Sequence, residues 1–216
     1  MSQAGYGFDA EAFRAARREV GASVARIARG AGVTERAVSL YLAGTRTPRP
    51  EVLPRLAAAV GAAPADLCTV EHECLVHLRV YTGRSRAAMA QALGMAEETY
   101  RQVEVTGHRG RTATSRYDGR LDRYIAWEEW AAPAYGVSAQ RLAEAEQHTR
   151  QAWQELRAER RRAWLEQLDQ VERARLERLG KRGRRARGEG GGPGAGRRPV
   201  NGPARPWSGV PPKGRD

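Results

Sequence analysis

Lysine is almost missing from this chain: of its 37 basic residues only Lys181 and Lys213 are lysines, and the others are arginines. Phenylalanine occurs twice, methionine three times and cysteine twice. The two cysteines, Cys68 and Cys74, cannot build a disulfide framework and fit a reducing compartment. No apolar run reaches the ~18 residues a membrane-spanning helix needs, and the opening Met1-Ser2-Gln3-Ala4-Gly5-Tyr6 has no apolar signal core. A soluble, cytoplasmic protein is expected. Signatures of catalysis are also missing: there is no nucleophile–base pattern, no phosphate-cradling glycine loop and no metalloprotease helix. The paired carboxylates Glu128 and Glu129 are adjacent on a predicted helix and so diverge. Neither an enzyme nor a cofactor is expected.

What is present is positive charge, unevenly spread. The 216 residues carry a formal net charge of +12, and residues 181–216 alone hold ten Lys/Arg against two Asp/Glu. Such a balance favours a polyanionic partner without implying that a sequence is read. The arginine bias suits bidentate phosphate contacts, and a GC-rich genome would produce it equally. The length allows one or two domains with real cores.

The stretch from Ser23 to Pro48 organises the chain. Ile27, Ala28 and Ala31 make an apolar face at helical spacing, and Gly32 ends that helix where a left-handed backbone is needed. Thr34 is an N-cap, and Val38, Tyr41 and Leu42 give the next helix its buried side. Gly44 closes it and Thr45 to Pro48 is loop. Two helices across a glycine corner form a helix-turn-helix, whose second helix can enter the major groove of DNA. Around it, Asp9 caps a first helix with Phe13, Ala16 and Val20. Glu51 to Val60 forms a fourth helix with Pro54 in its first turn, and a short fifth begins near Pro64.

The spacing of Ile27-Ala28, Gly32-Val33-Thr34, Val38 and Gly44 resembles the phage-repressor-like helix-turn-helix family, Cro/C1 or XRE, over Phe13 to about Leu67. The closing L-x-x-L-A-x-A-V-G-A pattern from Leu53 to Ala62 belongs to the resemblance. Val24 stands where the family usually carries Gln, which leaves the phosphate contact made there without its residue. The resemblance implies sequence-specific binding of double-stranded DNA, with the 34–43 helix in the major groove. Glu35 and Arg36 are then the first candidates for base edges: Arg can meet guanine O6 and N7 together, and Glu can accept from cytosine N4. Ser39 and Leu40 lie one turn on, with Leu40 suited to a thymine methyl. Thr34, Arg46 and Arg49 are candidates for phosphate, and Ser23 is a further candidate DNA contact.

A displacement of 62 residues repeats the pattern, aligning Gly21 with Gly83, Ser23 with Ser85, Ala28 with Ala90, Gly32 with Gly94 and Arg17 with Arg79. A displacement of 75 sets Gly61 and Leu67 on Gly136 and Leu142, the difference being an insertion within 108–120. Residues 72–145 therefore read as a diverged second copy of the 8–70 domain; a chance match of two Ala-rich helical stretches is the alternative. The second copy looks like a weaker reader, because Ala96 replaces the threonine cap and residues 71–136 hold nine Arg against nine Asp/Glu. Its candidate DNA contacts are Arg84, Ser85, Arg86, Arg101, Gln102, Arg109 and Arg111. The family often pairs the first-helix arginine with a late recognition-helix glutamate. Arg17 would meet Leu42, so that pair is missing in the first copy, whereas Arg79 would meet Glu104 in the second.

From Ser138 to Gly180 the sequence is a charged helical pattern with a broken stripe of Trp153, Leu156, Trp164, Leu165, Leu168, Val171, Leu176 and Leu179. It keeps no strict heptad. A homodimer or another helical partner through 138–180, and packing on the second domain, are both open; within it 146–180 forms a charged extension. Residues 181–216 are rich in Arg, Gly and Pro and are expected to be disordered.

Cys68, His72, Cys74 and His77 form C-x3-H-x-C-x2-H, residue types that zinc accepts. The spacing matches no familiar finger, and Cys74 equally fits the apolar face holding Leu75 and Leu78. A buried thiol with surface imidazoles is expected instead of a metal.

The reading as a whole is an all-α protein with two tandem five-helix repressor-like domains, a long C-terminal helical extension and a basic tail. Its expected role is transcriptional regulation at an operator, in the cytoplasm on the nucleoid. Rival readings are an antitoxin-like interaction scaffold and a nonspecific nucleic-acid binder acting through the tail.

Overall fold

The computed structural model of the protein describes residues 6–110 and 115–188, without the side chains of 180 and 182–188. The chain divides into two units, Met1–Arg162 and Ala163–Asp216.

In the first unit, α1 (Ala10–Glu19) begins at Asp9, whose carboxylate accepts the Glu11 and Ala12 N–H groups at 2.7 and 3.1 Å. The other carboxylate oxygen accepts the Thr69 hydroxyl at 2.7 Å, and these bonds, the Thr69 one foremost, hold the Asp9 pKa below the usual carboxylate range. Asp9 N–H donates to the Leu67 carbonyl and Thr69 N–H to Gly7, so the end of this bundle is laced to its beginning. Between them lie α2 (Val24–Ala31), α3 (Glu35–Leu42) and α4 (Leu53–Ala59). Phe13, Ile27, Ala31, Val38, Leu53, Leu56, Ala57 and Leu67 are sealed from solvent in one core. Each large apolar side chain buried there contributes about 1.5–3 kcal/mol. The expected fifth α-helix is a 3₁₀ turn over Pro64–Leu67. Only four residues separate Ala63 from Cys68, which is already extended and bridges to Phe8, so no α-helical turn has room to propagate.

The chain continues through α5 (Leu75–Tyr81), α6 (Arg86–Ala92), α7 (Glu97–Thr106), α8 (Trp127–Tyr135) and the start of α9 (Ala139–Gly188). Their core is Leu75, Leu78, Met89, Ala90, Tyr100, Val103, Trp127, Ala131 and Leu142. Helix α5 serves both cores: Val80 is buried in the first and Leu75 and Leu78 in the second. The Leu75 N–H donates to Thr149 Oγ1 at 2.9 Å, so α9 caps the start of α5 across 74 residues.

Among the described residues the fold is mostly helical, as the all-α expectation has it, with one small addition: β1 (Ser115–Asp118) and β2 (Arg123–Ala126) form an antiparallel hairpin with Tyr117 opposite Tyr124. Asp118 Oδ1 accepts the Arg120 N–H at 2.8 Å to bend the chain, and Asp122 takes a left-handed backbone with φ 49°. Both strands are largely exposed, so no apolar alternation marked them in the sequence. Residues 181–188, expected to be disordered, continue α9. Once a helix exists, adding residues needs no new nucleus. The rest of the expected disordered segment, 189–216, lies outside the described residues.

Candidate nucleic-acid interface

The corner between α2 and α3 is built from the backbone outward. Gly32 adopts φ 65°, ψ 40°, and the Val33 N–H reaches back to the Ala28 carbonyl at 3.0 Å. An L-residue rarely adopts this conformation, so the glycine decides the turn. Ser23 Oγ accepts the Arg26 N–H at 3.1 Å to start α2. Thr34 Oγ1 accepts the Ala37 N–H at 3.2 Å to start α3. Val38 and Tyr41 point into the core, which turns the opposite side of α3 to solvent.

Glu35, Arg36 and Ser39 are exposed on that side and Leu40 is half-buried. The Ser39 hydroxyl donates to the Glu35 carbonyl at 3.0 Å. Arg46 and Arg49 are exposed on the following loop. Among the described residues none of Arg36, Arg46 and Arg49 is ion-paired within the chain, and the ion pair here is Arg14 with Glu11. Guanidinium groups without an internal partner are free to meet phosphate or a base edge.

Two residues that shape this surface were missed in the sequence. Buried Tyr6 donates its hydroxyl to the Pro48 carbonyl at 2.7 Å and anchors the loop bearing Arg46 and Arg49. Arg14 donates to the Leu42 carbonyl and so ties α1 to the end of α3. The Phe8 ring meets those of Phe13 and Tyr41, with centroids 5.9 and 6.4 Å apart. Arg17 donates to the Ala22 carbonyl at 2.9 Å; Leu42, as expected, gives it no carboxylate.

The candidates of 72–145 have different surroundings. Arg79 and Arg86 both pair with Glu104, a side chain fully sealed from solvent, as the spacing predicted for Arg79. Arg84 donates to the Ala134 carbonyl. Arg101 makes a two-pronged pair with Glu98 at 2.8 and 2.6 Å. Arg109 bridges Glu146 at 2.7 Å and Glu128 at 3.0 Å and lies 5.6 Å from the Trp127 ring. Burial raises the Glu146 pKa despite Arg109, since the carboxylate loses more hydration than the pairing returns. Ser85 caps α6 through the Ala88 N–H at 3.1 Å, and Ala96 leaves α7 without a side-chain cap. Gln102 is exposed, and Arg111 lies outside the described residues.

The four cysteine and histidine candidates do not converge. His77 Nδ1 accepts the Cys74 N–H at 2.8 Å, and the His72 ring stacks on His148 with centroids 4.7 Å apart. Cys68 packs against the first core, where burial pushes its pKa up to about 12. Among the described residues no three His, Cys, Asp or Glu side chains come together as metal ligands. Nor, among the described residues, is any helix long and apolar enough to cross a membrane.

No curated protein and no solved structure matches the chain. Residues 10–68 match the family model described as a helix-turn-helix domain, so the bundle that holds Gly32 at its corner and Arg36 on its open face is a helix-turn-helix domain of DNA-binding type.

Proposed function

We propose that the protein is a sequence-specific double-stranded DNA-binding regulator of the Cro/C1 type, acting as a repressor. In this reading α3 enters the major groove, Glu35 and Arg36 read base edges, and Ser23, Thr34, Arg46 and Arg49 hold phosphates. The observation that carries it is the exposed face of α3, where Arg36, without an ion-pair partner among the described residues, lies two residues after the Thr34 cap. A duplex bound by the full chain should be selected from random sequences. Replacing Arg36 with Ala should then relax the preference at one base position and cost about 1–3 kcal/mol. Equal binding of all duplexes by both chains would overturn the reading.

The same proposal gives residues 72–145 the role of a diverged second copy whose task is structural. Its support is a set of equivalent bonds. The Met95 N–H reaches the Ala90 carbonyl across Gly94 as Val33 reaches Ala28 across Gly32, both at 3.0 Å. Arg79 donates to the Arg84 carbonyl as Arg17 donates to Ala22. Buried Met89, Tyr100 and Leu142 stand at the positions of Ile27, Val38 and Leu67. The arginines of this copy are engaged by Glu98, Glu104, Glu128 and Glu146, which leaves less charge for phosphate.

A further inference from the structure

In the second unit, the part of α9 beyond Ala163 leaves Trp164, Leu165, Leu168, Val171, Leu176 and Leu179 between 42% and 67% exposed. A helix that keeps six large apolar side chains in water has a face to cover. The question is what covers it.

Leu168, Glu172, Arg175 and Leu179 answer it by their order. They follow one another at steps of four, three and four residues, so they form one seam along the helix. Read in either direction the seam is apolar, charged, charged, apolar, with the two charges opposite in sign. We infer that this segment pairs antiparallel with the same segment of a second copy of the chain. Leu168 then lies opposite the second copy's Leu179, and Glu172 opposite its Arg175. Two-fold symmetry repeats both layers, giving two leucine pairs and two ion pairs from one short stretch. The parallel arrangement in register sets Glu172 against Glu172 and Arg175 against Arg175, two like-charge layers in the seam. Neither residue is ion-paired within its own helix among the described residues, so each is available. The charged layers serve mainly to select direction and register, as polar seam positions do, while the leucines supply the attraction. This pairing does not depend on the DNA-binding reading.

Sedimentation of the full chain over a range of concentrations tests it. The unaltered chain should show a concentration-dependent monomer–dimer equilibrium. Glu172→Arg sets Arg against Arg175 twice and should weaken the dimer by about tenfold or more. The double exchange Glu172→Arg with Arg175→Glu should restore it, since it only inverts each pair. Leu168→Ala with Leu179→Ala should abolish it. Circular dichroism of each variant should retain the helix content of the unaltered chain. A chain that stays monomeric at about 100 μM, well above the micromolar range in which a modest pairing is populated, overturns the inference. So does a dimer indifferent to Glu172→Arg, as the parallel arrangement requires, or one that survives loss of both leucines.

Discussion

The two helical bundles of Met1–Arg162 turn their helices at glycine corners with the same hydrogen bonds, yet they use arginine in opposite ways. Around α3, Arg36, Arg46 and Arg49 are exposed and, among the described residues, without an ion-pair partner. Around α7, Arg79, Arg86, Arg101 and Arg109 meet carboxylates of their own chain. One residue heads the contrast: in the first bundle Arg17 finds only the Ala22 carbonyl, and Leu42 offers Arg14 a carbonyl but no carboxylate, whereas in the second Glu104 is sealed between Arg79 and Arg86. A buried carboxylate draws cations inward, and cations drawn inward are lost to an external polyanion. Charge content alone therefore says little about which bundle can hold DNA.

The largest expected effect tests that buried pair. Glu104→Ala leaves Arg79 buried without a counter-ion and should cost about 3–5 kcal/mol in urea unfolding. Arg17→Ala, which removes only a bond to a carbonyl, should cost about 1.5 kcal/mol. Equal losses would erase the distinction. Next comes the proposed reading face. Arg36→Ala should lower affinity for a selected duplex by about 1–3 kcal/mol at an unchanged melting temperature, while Arg101→Ala, already paired with Glu98, should change it by less than about 0.5 kcal/mol. A reversed ranking in a binding titration would move the reading face to the second bundle.

The helix caps offer a smaller and reciprocal test. Thr34→Ala should destabilise by about 1 kcal/mol, and Ala96→Ser, at a backbone already extended as a cap requires, should stabilise by about 0.5–1 kcal/mol. Thermal melts would show shifts of opposite sign. The smallest effect is on pH dependence. Burial lowers the His77 pKa below 6.5, with Glu73 opposing weakly, so the unfolded chain takes up the proton first. The stability due to neutral His77 is thus complete above pH 6.5 and is lost as pH falls from there to the lowered value. Gln at 77 can still accept the Cys74 N–H, so His77→Gln should flatten that slope in urea midpoints measured from pH 7 down to pH 5. An unchanged slope would assign it elsewhere.

Much of the first bundle was legible because its determinants are local. Asp9, Ser23 and Thr34 cap helices within three residues of themselves, and Gly32 turns the chain by its own backbone. The hairpin was not legible, since strands exposed on both faces carry no alternation, and its turn rests on Asp118 and Asp122. Tyr6 and Thr149 were equally hidden, because each acts on a partner 42 or 74 residues away.

From the order of residues alone came the helix-turn-helix, its glycine corner and the outward side of α3, all set by contacts within a turn or two of helix. Only the folded chain decided which arginines remain available. Arg109 finds Glu146 across 37 residues and Arg84 finds the Ala134 carbonyl across 50, distances over which sequence carries no pairing rule and packing alone brings charges together.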